Sequence, residues 1–552
     1  MTMTTPSLTG PPGVSTVEQL LGPTISPSNS SPSVAGFAGE HFRGPSGYAI
    51  LCNSWSDFVR YFGGFNPNSV PVLNNPYLPY SVYQFFANGG QSAFVARITN
   101  STSPGATATL NIPDAYTATP QTAIVLEAGV LGKAGNPGQW ANGQATSGLW
   151  ASISLTGASD SAGYPSFNMN IYAGGAPAAG TLVEQWTYLS MNPLSNRFVT
   201  SIINSPSQGS TWVVVVSTPA TSAPSPVLSC PGITTGLAFS GGTDPLSPPA
   251  PADKEVVVTA GTSPFDKVQG LLNINLPAEG NTAVIDAAGT YASGGRPYTF
   301  LVVDPPQGAP VSGLNSVSAF LASLSFGANP APSYVALYYP WVYATNPASS
   351  NPQNVIDLPP GGFILGQIAA TDNSSGPWEA PAGTNTVLAN VVAAEDQLTP
   401  GQMALLNNQN VNALRTMPDG SVVIWGTRTL EIGFASKYIP VRRTLNYIES
   451  ALVASMQQYV FDPNSSSLWG RIIATCNSLL SSMYAAGAFP GGTPAQSYYV
   501  ICDDTINTPQ TIASGVTNVV AGVALAVPSE FIQITIAQFQ STGATSVSTT
   551  ST

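Results

Sequence analysis

At 552 residues the chain is longer than one hydrophobic core normally supports, so two to four domains are expected. Only 7% of residues are charged, 43% are hydrophobic, and Gly (53) and Pro (50) are abundant, which excludes disorder and points to a turn-rich, β-rich chain. The net charge of −12 argues against nucleic acid as the main partner.

Residues 1–33 carry one charge, Glu18, and read as an extended N-terminal arm in which PPGVSTVE, with Val14 and Val17, could form a strand. Its opening MTMTTPSLTGPPG has neither a basic region nor an apolar core, so no signal peptide is expected. Residues 34–99 form the first part of a core. Within it, NSWSDFVRYFGGF (53–65) predicts a short helix capped by Ser54 or Ser56, with Phe58 and Phe62 inward. YLPYSVYQFFANGGQSAFVARI (77–98) predicts a helix closed by Asn88-Gly89-Gly90, then a strand from Ala93 to Ile98. From 100 to 240 short alternating runs (Ala123 to Leu126, Ala151 to Leu155, Asn168 to Tyr172, Trp212 to Val216) imply an inserted antiparallel β domain, with a helix over 195–207.

Residues 241–412 alternate apolar strands (Tyr298 to Val303, Tyr334 to Tyr338) with helical stretches such as Ser312 to Leu324, which implies a mainly parallel, doubly wound α/β sheet. Residues 413–527 read as a C-terminal α+β domain. It opens with a strand from Ser421 to Trp425. A helix from about Pro440 follows, with Val441, Leu445, Ile448, Leu452, Met456 and Tyr459 on one face. After Asp462-Pro463, serines 465 to 467 offer the cap of a second helix that buries Leu468, Ile472, Cys476, Leu479 and Met483 and ends near Gly487. AQSYYVICDDTINTPQ (495–510) predicts a strand and a turn, and the next strand pattern runs from Val519 to Val527. In residues 528–552, Phe531 leads into Ile532, Ile534 and Ile536, which alternate with polar residues, and Glu530 is the only charge after Asp504. Such a strand is either an ordinary sheet member or an edge that seeks another chain.

WGTRTL (425–430), YIPVRRTLNYIE (438–449) and FDPNSSSLWGRI (461–472) closely resemble the C-terminal signature of contractile tail sheath proteins. Pro12-Gly13-Val14 with Glu18, VAGFAGEHFRGP, the helix–Asn-Gly-Gly–strand sequence, FLVVDPP, SYVALYYPW and LPPGGFILGQIAATDNSSGPWEAPAG are similar to further sheath motifs. Pro528-Ser529-Glu530-Phe531 departs from the family's Pro-Ala-Glu-Phe, and Gly515-Val516-Thr517 from its Gly-Arg-Leu. The resemblance implies a subtilisin-like middle domain and a C-terminal domain completed by arms of neighbouring subunits, with Val14, Val17, Phe531, Ile532, Ile534 and Ile536 on the arm strands. It implies a structural subunit that forms stacked hexameric rings around a tail tube, contracts to drive the tube through a target envelope, and meets tube, baseplate and tail terminator proteins. That places it in a virion tail assembled in the bacterial host's cytoplasm, or in a bacterial contractile injection system. The alternative of another class is a β-rich capsid decoration or adhesin protein.

Enzyme chemistry is not expected, and neither is a cofactor, a metal or membrane insertion. The sole histidine, His41, precedes nearly the whole α/β region, so a subtilisin-order triad cannot be met. No phosphate loop, nucleophile elbow or His-Glu-x-x-His occurs, and the four cysteines match no metal spacing. Between Arg415 and Arg471 lie six of the fourteen basic residues, opposed by four acidic ones. These are either a solvated helix face with local ion pairs or a patch facing an acidic inner tube; the resemblance nominates Lys437, Arg442 and Arg443 for the tube.

Overall fold

A computed structural model describes residues 34–65, 73–160, 162–219, 225–326, 331–433 and 436–531. Val14, Val17, Ile532, Ile534 and Ile536 lie outside them. The central sheet has eight strands, in the order Val422–Trp425, Val411–Thr416, Val335–Tyr339, Thr299–Val303, Leu272–Asn275, Val34–Glu40, Ser92–Ile98, Ala49–Cys52. The six inner strands are parallel and the outermost strand at each edge is antiparallel. Thr299–Val303 and Val335–Tyr339 are buried along their whole length, which is why they read as unbroken apolar runs. Helices Trp55–Phe62, Leu78–Ala87 and Gly361–Ser374 fill one face; Thr282–Thr290, Val317–Ser323 and Pro400–Asn408 fill the other. The sheet is therefore doubly wound.

Two glycines set the depth of one helix pair. A Cβ at Gly362 would lie 2.4 Å from the Ser81 carbonyl oxygen, and one at Gly366 would lie 2.8 Å from the Phe85 carbonyl oxygen. Spaced by one turn, they let Gly361–Ser374 press its backbone onto Leu78–Ala87.

Several boundaries differ from the sequence reading. The sheet runs on to Trp425, so the division drawn after residue 412 cuts through it. Leu272–Asn275 is a strand in its own right, too short to stand out. Helix Val317–Ser323 starts late because Asn315, at φ 57, is left-handed and Ser316 supplies the cap to the Ala319 N–H. The helix expected over 195–207 is only Val199–Ile203, and the last strand only Val520–Val523. Val342–Thr345, Val355–Leu358 and Val391–Ala394 add an unanticipated antiparallel sheet.

Residues 109–238 form a four-stranded and a three-stranded sheet around one shared core. Arg43, in the turn after the first core strand, joins this insertion to the sheet. Its guanidinium lies 3.9 Å from the ring centre of Trp212 and 4.7 Å from that of Trp140, and it donates to the Thr211 and Arg60 carbonyls. At the other end of the chain, helices Ile439–Met456 and Ser466–Ala485 and the hairpin Tyr498–Ile501/Val520–Val523 share a smaller core. No helix of the described residues is long and apolar enough to cross a membrane.

Candidate assembly surface

Doubly wound sheets bind ligands where strand order reverses, outside the carboxyl ends of the strands. Here the reversal falls between Val34–Glu40 and Leu272–Asn275. That crevice is filled by the chain itself. Glu40, ending the first strand, accepts from the Asn74 and Asn75 backbone N–H groups, and burial pushes its pKa up. Lys254 bridges Glu40 (3.9 Å) and Glu279 (2.8 Å) from opposite sides of the reversal. Asp304 accepts from Gly361 N (2.7 Å), Ala278 N (3.0 Å) and Asn275 Nδ2 (3.1 Å). The carboxylate thus occupies the helix N-terminus where a ligand anion would sit, and burial lifts its pKa to about 6. Beside His41, Arg97 and Asp244 a recess of about 20 Å³ remains, room for a water rather than a substrate.

The C-terminal module corrects the basic-patch expectation. Arg442 and Arg443 are buried, at 0% and 2% exposure, in the interface between helix Ile439–Met456 and the amino-terminal ends of the sheet strands. Arg443 makes a bidentate pair with buried Asp372 of helix Gly361–Ser374 and reaches Asn273 Oδ1 at 3.5 Å. Arg442 lies 4.3 Å over the Tyr334 ring and bonds Asn446 and Glu449. Asn446 in turn donates to the Thr299 carbonyl. These side chains tie the module to the sheet. Of the three nominated residues only Lys437 is partly exposed.

The surface left open is apolar. Tyr498–Ile501 and Val520–Val523 pair with each other, and neither has a second strand neighbour among the described residues. One side of the hairpin packs on Cys476, Leu480 and Met483, while Tyr499, Val519 and Val520 are exposed. Val527 and Phe531 follow, 55% and 76% exposed. An uncovered two-stranded sheet is marginal alone and offers backbone hydrogen-bonding edges to a further strand.

Solved structures share this fold nearly end to end. A chain of the anti-feeding prophage baseplate aligns over 97% of this chain and 100% of its own, at 19% identity and TM-score 0.51. The sheath complex of PVC, an extracellular contractile injection system, in its contracted state aligns over 96% and 98%, at 19% identity and TM-score 0.54. The sheath tail protein from Listeria innocua aligns over 87% and 91%, at 11% identity and TM-score 0.56. No curated protein matches. Residues 298–430 match the family model of the phage tail sheath protein central domain. The matched stretch is similar to a phage tail sheath central domain, and the chain around it shares the fold of sheath proteins.

The matched stretch contains Asp304, Asp372 and Arg428, whereas Arg442 and Arg443 lie beyond it. Periodicity could not pair Asp372 with Arg443. One signal was available: Asp372 is the only charge between Asp357 and Glu379, in a helix whose other residues are all uncharged.

His41 gives the chain a measurable pH signature. Its Nε2 lies 2.8 Å from the Gly64 carbonyl oxygen; Nδ1 lies 2.9 Å from the Arg43 carbonyl oxygen and 3.3 Å from the Arg43 N–H. The two carbonyls favour the charged ring, but burial outweighs them, with Arg97 and Arg43 adding repulsion, and the pKa falls to about 4. A lowered base stabilises above its unfolded pKa of about 6.5 and loses that contribution as pH falls towards 4. Asp304, raised to about 6, acts in the opposite sense, so a difference measurement is needed. The unfolding free energy lost in His41→Asn should be largest above pH 6.5 and shrink by roughly 3 kcal/mol by pH 4. A pH-independent difference would mean the ring is not held neutral.

Proposed function

We propose that the chain is the structural subunit of a contractile tail sheath: it polymerises as stacked hexameric rings around a tail tube and contracts to drive the tube through a target cell envelope. The observation that carries this is the uncovered hairpin Tyr498–Ile501/Val520–Val523, followed by exposed Phe531 and the alternating Ile532, Ile534 and Ile536 of the sequence. A sheet short of strands and a terminal segment with strand character fit an exchange of arms between copies, Val14 and Val17 contributing at the other end. The finer fold reading, a subtilisin-like middle domain with a C-terminal domain completed by neighbours, belongs to the same proposal.

The partners are further copies of the chain, a tail tube protein, a baseplate and a tail terminator, in a particle assembled in the bacterial host's cytoplasm. With Arg442 and Arg443 buried, Lys437 is the nominated basic residue left to face the tube. No enzymatic step is required, because contraction releases energy stored on assembly. A second reading, the sheath of an injection system rather than of a phage, is favoured by the anti-feeding prophage and PVC particles whose fold the chain shares. Negative-stain electron microscopy of the purified full chain tests the proposal. Hollow tubes or stacked rings are expected; monomers alone at every concentration and salt tried would overturn it.

A further inference from the structure

The last charge in the chain is spent inside the chain. Glu530 accepts from Arg428 Nε at 2.8 Å, pairs with its Nη2, and lies 3.4 Å from the Tyr438 hydroxyl. Arg428 is held ready for it. Its N–H donates to Asn412 Oδ1 and its carbonyl accepts from Asn412 Nδ2, both at 2.7 Å, while Nη1 donates to the Asn407 carbonyl at 2.6 Å. The guanidinium is nearly buried and the carboxylate side chain is 14% exposed. On either side Val527 and Phe531 stand out in solvent. A carboxylate between two exposed apolar residues, reaching 102 residues back to a preorganised arginine, fixes one point of an otherwise thinly held segment.

We propose that the Arg428–Glu530 pair is the root of the C-terminal arm: it fixes where residues beyond Phe531 leave the subunit, and so which copy of the chain they can reach. This rests on the arm-exchange reading above. A segment rooted at Glu530 searches a smaller volume than one held only as far as Leu525, which packs on the C-terminal core, and this raises its effective concentration at the correct neighbour. Glu530 is thus a positioning residue for assembly, and the pair stays closed in the polymer.

The test has two parts, both on the full chain. In the first, spin labels are placed at Ala404→Cys and Phe531→Cys; the four native cysteines are buried, so background labelling is low. The inter-label distance distribution should be narrow with Glu530 present, broad in Glu530→Ala and intermediate in Glu530→Gln, with near-UV circular dichroism reporting an intact fold in each. An equally narrow distribution without the carboxylate overturns the proposal. In the second part, the concentration needed for tube formation should rise about tenfold in Glu530→Ala, the worth of one charge-assisted bond. Unchanged assembly with a broadened distribution also overturns it. If the unaltered chain makes no tubes, the sheath reading falls, and the root is judged on the distances alone.

Discussion

Asp372→Ala should cost the fold about 3–5 kcal/mol, the penalty for stranding one partner of a buried ion pair. Arg443 is 2% exposed and the Asp372 side chain 0%. Neither can turn to water without lifting helix Ile439–Met456 off the sheet. Burial raises the Asp372 pKa while the bidentate guanidinium pulls it back, so the pair is sustained by geometry. The loss should appear in urea unfolding of the full chain as an earlier transition, the two-helix module separating before the central sheet melts. Replacing both partners, Asp372→Leu with Arg443→Met, should recover most of it, because no uncompensated charge remains. A single-variant loss below ~1 kcal/mol would mean the pair behaves like a surface bridge.

What the sequence shows and hides follows from this pair. Helix Ser466–Ala485 is legible, since Leu468, Ile472, Cys476, Leu479 and Met483 meet an apolar core at helical spacing and all are buried. The strands Thr299–Val303 and Val335–Tyr339 are legible for the same reason. Helix Ile439–Met456 is legible as a helix and in the apolar side that packs Ile448, Leu452 and Met456 into the C-terminal core, but not in its polar buried side. Val441 and Ile448 are buried as expected, yet so are Arg442, Arg443, Thr444, Asn446 and Ser450. The helix covers strand ends, where carbonyls such as that of Thr299 need donors, so its contact face is polar. Hydrophobic periodicity is blind to such an interface, and two adjacent arginines then look like a surface patch. The Arg428–Glu530 contact was hidden differently, by a separation no local pattern spans.

Removing residues 532–552 should leave a chain that unfolds like the full-length protein yet forms no tubes. Everything described here, including the Arg428–Glu530 root, lies before the cut, so the fold keeps its known contacts. Assembly should not survive. On the arm-exchange reading, burying Ile532, Ile534 and Ile536 against a neighbour would supply ~5–9 kcal/mol, at ~1.5–3 each. Fixing one subunit costs about 4–15 kcal/mol in lost freedom. One arm is therefore marginal, several per subunit are needed, and growth should be cooperative, so deleting the arm from every copy removes the term that tips the balance. Negative-stain microscopy with sedimentation at matched concentration reads the outcome. Tubes of normal width from the truncated chain would sink the arm-exchange mechanism. Loss of the folded monomer would mean that these residues complete their own subunit's sheet and are not lent to the next.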